Sequence, residues 1–124
     1  MKLRIKENSI RIRLTRSEID YFRNHNSIEE KTDFGSSMFG YVLRKEPVNK
    51  NLSATFNDNK IILNIPESLA REWTETELIG IENELDIGNG KKLFLLIEKD
   101  FKCLDQVAEN QDDNFENPLA LKKG

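Results

Sequence analysis

Positions 52–65 repeat the apolar phase of positions 1–14, and the match runs on into the segments that follow. At an offset of 51 residues Ile5 falls on Phe56, Ile10 on Ile61, Ile12 on Leu63 and Leu14 on Ile65. Ser17 then falls on Ser68, Phe22 on Trp73, Ile28 on Ile79 and Phe34 on Leu85. Strand register decides which side chains reach a core. A match carried through strand, turn, strand and helix therefore reads as a structural repeat.

Each copy has the same plan. Lys2-Leu3-Arg4-Ile5-Lys6 alternates polar and apolar, as does 10–14, with Glu7-Asn8-Ser9 between them. Two alternating runs across a short polar turn predict a β-hairpin. Thr15-Arg16-Ser17-Glu18 then fits a capping box, with Leu14 and Ile19 placed as a hydrophobic staple. A helix over 16–24 with Ile19 and Phe22 inward is expected, then strands over 28–34 and 38–45. The second copy predicts strands over 52–56 and 60–65 around Asn57-Asp58-Asn59. A helix opened by Pro66-Glu67 follows, where proline is tolerated and an acid is favoured. Leu69 and Trp73 are expected to face inward. Strands over 78–87 and 91–101 meet at Gly88-Asn89-Gly90. That turn lacks the following helix that a nucleotide loop requires.

The expectation is an α+β domain over residues 1–104, β-rich, with pseudo-repeats 1–46 and 52–104. It has about eight mostly antiparallel strands and two short helices. The duplicated ββαββ unit is expected to close into a barrel or pack as a sandwich. Residues 105–124 are acidic, amide-rich and poor in apolar groups, and are expected to be disordered in isolation.

Composition excludes several classes. The chain has 124 residues and a formal net charge of −3, one domain's worth of core. No apolar run is long enough to cross a membrane as a helix. Basic residues interrupt the first fifteen positions, so no secretory signal is expected, and the expected setting is cytoplasmic. A single cysteine, Cys103, allows no disulfide within the chain, and a closed Cys/His zinc site lacks ligands. The single histidine, His25, sits in the polar run Arg23-Asn24-His25-Asn26 and reads as a solvated loop residue. No catalytic residue and no cofactor is predicted.

Lys2-Leu3-Arg4-Ile5-Lys6, Asn8-Ser9-Ile10-Arg11, Arg13-Leu14-Thr15 and Ser17-Glu18 resemble a family of small uncharacterised bacterial proteins, a domain of unknown function. Glu98-Lys99-Asp100-Phe101 followed by Cys103-Leu104 shares the resemblance. It spans essentially the whole chain before the tail and implies no activity.

Charge is unevenly spread. Lys2, Arg4, Lys6, Arg11 and Arg13 take one phase of the first hairpin. Alternate side chains share a sheet face, so five cations crowd one two-strand surface, and like charges set opposite one another cost stability. Carboxylates on neighbouring strands, such as Glu29 and Asp33, or an anionic ligand would repay that cost. The second copy carries Ser53, Thr55, Asn57, Ile62 and Asn64 on the equivalent phase. The cluster is thus particular to the first copy. A charged strand face is commonly only solvated. The functional expectation is a non-catalytic binding or adaptor domain that contacts an acidic protein or a small phosphorylated ligand. Nucleic acid is disfavoured by the net charge. The alternative is a metal-assisted enzyme acting on a phosphate-containing substrate inside a charged barrel, with Glu82, Glu84, Glu98 and Asp100 as metal ligands. The two part on whether the charged faces point into a barrel or outward. The sequence gives no oligomeric state.

Overall fold

The computed structural model describes residues 1–48 and 50–101. Cys103 and the acidic segment 105–124 lie outside them. The elements are β1 (Lys2–Lys6), β2 (Ser9–Leu14), α1 (Arg16–Arg23), β3 (Ser27–Asp33) and β4 (Met38–Glu46). Then come β5 (Ser53–Asn57), β6 (Lys60–Pro66), α2 (Glu67–Glu75), β7 (Gly80–Gly88) and β8 (Lys91–Lys99). The order ββαββ thus occurs twice.

Local chemistry explains the boundaries. The Thr15 hydroxyl accepts from the Glu18 amide at 3.4 Å, and Glu18 Oε1 accepts from the Thr15 amide at 2.8 Å. The capping box is complete. Asp58 and Asn59 both take positive φ, as a two-residue hairpin turn of type I′ demands. At the turn after β7, Gly88, Asn89 and Gly90 have φ of +96°, +54° and +72°, which two glycines make inexpensive.

The eight strands do not close into a barrel. They form two mixed four-stranded sheets, ordered β1-β2-β8-β7 and β3-β4-β6-β5. Each hairpin is antiparallel, but β2 pairs parallel to β8 and β4 parallel to β6. Exchanging β1–β4 with β5–β8 converts one sheet order into the other. Each sheet therefore takes one hairpin from each half of the chain. Alternation reveals which face of a strand is buried, not which strand lies beside it, so these junctions are invisible in the pattern.

The offset of 51 holds through the first hairpins: Lys2↔Arg13 recurs as Ser53↔Asn64. It then slips. Ile28↔Leu43 recurs as Ile81↔Ile97, so Ile28 matches Ile81, not Ile79. The reason is that α2 and the loop after it are longer than α1 and its loop. Phe34 lies in the β3–β4 turn, exposed, and has no counterpart in Leu85.

One core serves both sheets. Ile12, Leu14, Leu95 and Ile97 from the first sheet meet Leu43, Ile61, Leu63 and Ile65 from the second. Phe22 and Trp73, 51 positions apart, meet edge to face between the helices with ring centroids 6.4 Å apart. Met1 and Leu52 enter this core at matched positions ahead of β1 and β5. Asn83 on β7 donates to the Leu52 carbonyl at 2.8 Å. At the matching place on β3, Glu30 takes the Met1 amine, and the single Tyr41 hydroxyl proton is shared between the Met1 carbonyl and Glu30, at 2.7 and 2.8 Å. The Met1 amine also pairs with Glu18. Burial disfavours charge on both partners, yet each prefers its ionised form because the other lies beside it. Burial and the Glu30 carboxylate push the Tyr41 hydroxyl up to about 12.

Candidate functional site

Cross-strand registers arrange the outer face of the first sheet in level rows. Arg4, Arg11, Leu96 and Glu82 form one row, and Lys6, Ser9, Phe94 and Glu84 the next. A third holds Lys2, Arg13, Glu98 and Gly80. The face is divided: cations on β1 and β2, carboxylates on β7, and Phe94 and Leu96 between them. Its middle is a groove of about 650 Å³, walled by Arg4, Lys6 and Arg11 on one side and Glu82 and Glu84 on the other.

The crowded cations are only partly neutralised. Glu98 Oε1 accepts from Arg13 Nε at 2.6 Å and Arg11 Nε at 3.0 Å. Lys2 pairs with Asp100 at 3.1 Å. The compensating carboxylates are thus Glu98 and Asp100. Glu29 and Asp33 lie on β3 in the other sheet, because β8, not β3, flanks β2. Among the described residues Arg4, Lys6, Glu82 and Glu84 make no ion pair. Phe94 beside them is 53 % exposed.

The four acids named as metal ligands are not assembled as a cage. Glu98 and Asp100 are held by cations, while Glu82 and Glu84 stand on β7. Among the described residues no three His, Cys, Asp or Glu side chains come together as a metal site. The charged phase faces outward, not into a barrel.

A larger groove, about 980 Å³, lies where both helices end, lined by Leu14, Arg23, Glu75, Ile79, Lys99 and Phe101 among others. Two of its cations, Lys99 and Arg23, are already used. Lys99 Nζ donates to the Thr76 carbonyl at 2.7 Å and Arg23 to the Thr74 carbonyl at 2.7 Å, where a helix end favours positive charge. Lys45, the match of Lys99, does the same to the Arg23 carbonyl and lies 5.0 Å from the Phe22 ring centroid. His25 stacks on Tyr21, and its Nδ1 lies 2.7 Å from the Tyr21 carbonyl. It closes a helix end. Among the described residues no helix is long and apolar enough to cross a membrane.

Sequence reasoning found the cations but not Phe94 and Leu96 as the centre of the face, nor the level match of Arg4 with Glu82. Both follow from the β2–β8 junction. A model of a family of unknown function, DUF7009, matches residues 1–119. No curated protein and no solved structure matches the chain.

Proposed function

The chain belongs to the DUF7009 family, whose function is unknown, and from its surface we propose a non-catalytic cytoplasmic binding module. The outer face of the first sheet is its contact surface, and an acidic protein surface its target. A single observation carries this reading: among the described residues Arg4 and Lys6 stand without ion pairs, beside an exposed aromatic, Phe94. An apolar centre rimmed by charge has the make-up of a protein interface. A groove this open to solvent encloses too little of a small molecule to make a good site for one.

The frame behind this face is best read as a duplicated ββαββ unit whose halves interlock as a sandwich. Matched Met1 and Leu52, Phe22 and Trp73, and Lys45 and Lys99 support that reading.

Calorimetric titration with a synthetic Glu-rich peptide containing Leu and Phe tests the binding reading. Arg4→Gln with Lys6→Gln is expected to weaken binding by about tenfold, since two charge-assisted contacts are removed. Unchanged affinity would overturn the reading. Magnesium-dependent hydrolysis of a phosphate ester that is lost in Glu82→Gln with Glu84→Gln would instead support the enzyme.

A further inference from the structure

Arg4 and Lys6, and Glu82 and Glu84, which make no ion pair among the described residues, lie on the same level rows of one face, so that face carries its own complement. We propose that its partner is a second copy of this chain, an inference that rests on the binding-module reading and names the acidic surface as β7 of the second copy.

The rows fix the geometry. Turn a second copy by half a revolution about an axis lying in the face, parallel to the strands, between β2 and β8. Each row stays level and its order reverses. Arg4 then faces Glu82 of the second copy, and Lys6 faces its Glu84. Arg11 covers its Leu96, and Ser9 covers its Phe94. The same contacts recur in the other direction, as a closed twofold interface requires. The other in-plane axis, across the strands, lays β1 on β1 and sets cation against cation. Charge therefore selects one dimer over the other.

The same argument gives the strength. Four strands spaced about 4.8 Å apart make a face roughly 19 Å wide. Two such faces bury on the order of 1,000 Å² in total, the small end for specific association. Rim charges with a modest apolar centre make a dimer that forms readily at low ionic strength and loosens as salt screens it. The outer face of the second sheet has no such self-complement, because Glu29 there is already paired with Lys60 at 2.9 Å.

Sedimentation of the full chain at low and high ionic strength, with two charge-reversed variants, tests this. Wild type is expected to sediment as a concentration-dependent dimer that dissociates with salt. Arg4→Glu with Lys6→Glu is expected to be monomeric, as is Glu82→Lys with Glu84→Lys. An equimolar mixture of the two variants is expected to dimerise again, since each restores the other's complement. Circular dichroism and melting temperature check that each variant folds. If either fails, the Gln versions at the same positions are expected to weaken the wild-type dimer by about tenfold. A wild type that stays monomeric at low salt overturns the dimer, as does a mixture that stays monomeric. Either result leaves the binding-module reading standing if the Glu-rich peptide still distinguishes Arg4→Gln with Lys6→Gln from wild type. That reading fails separately if the peptide does not.

Discussion

The two sheets share one topology, and their outer faces solve the same problem in opposite ways. In the second sheet Glu29 sits level with Val42 and Ile62, and Lys60 reaches it across Gly40 at 2.9 Å, with Lys31 at 3.9 Å. The Lys60 hydrogen bond holds the Glu29 carboxyl below the usual range. Arg44 donates to Asn64 at 3.1 Å. Val42 is only 7 % exposed beneath this lattice. The matched positions in the first sheet read differently. Glu82 stands for Glu29, but Ser9 stands for Lys60, Glu84 for Lys31 and Phe94 for Gly40. The bridging cations are gone, and an aromatic ring occupies the place over which the bridge would lie. One frame thus carries a face that satisfies itself and a face that does not. Open charge beside an exposed ring is a property of these few residues, not of the fold.

The largest expected effect comes from breaking the frame that both faces share. Trp73→Ala removes a fully buried ring that touches Phe22 between the helices. It is expected to cost about 3–5 kcal/mol in chemical denaturation, and both faces are lost together. A substitution confined to the first sheet follows. A Cβ on Gly80 would lie 2.7 Å from the Ile97 carbonyl, whereas the matched position in the second sheet is Ser27. Gly80→Ser is expected to cost about 1–3 kcal/mol. Ser27→Gly is expected to cost about 1 kcal/mol or less. Equal costs from matched denaturant titrations would erase the distinction between the sheets at that row.

The comparison sharpens if one face is rebuilt as the other. Ser9→Lys with Phe94→Gly gives Glu82 the arrangement of Glu29. It is expected to abolish self-association while changing stability by about 1 kcal/mol, the usual cost of a strand glycine. Sedimentation with a parallel melting curve reads both. The smallest expected effect lies in the titration of Tyr41 beneath the second sheet. Its folded value of about 12 lies above the ordinary 10.0. The neutral hydroxyl is therefore favoured by folding, and that stabilisation is complete below pH 10. It fades as pH rises from there through about 12. Absorbance at alkaline pH is expected to show a delayed tyrosinate step that Tyr41→Phe removes.

Much of this architecture was legible in the chain. Alternation located the strands, because a half-buried strand must repeat with period two. Thr15 and Glu18 announced α1 through a motif whose bonds are local. Phe22 and Trp73 were matched by position before their contact was visible. What stayed hidden is non-local. Nothing in β2 states that β8 lies beside it, so the pattern points to carboxylates such as Glu29 and Asp33 where the structure places Glu98. The same gap concealed the site's centre: Phe94 looked like one residue of an apolar run until the junction placed it level with Ser9 and Glu84.

Amide NMR spectra of the full chain recorded over a dilution series at low salt test the central claim most directly. The account predicts concentration-dependent shifts at Arg4, Lys6, Ser9, Glu82, Glu84 and Phe94. Glu29, Val42, Lys60 and Asn64 are expected to stay still. Shifts on the second sheet instead, or none on the first, would contradict it.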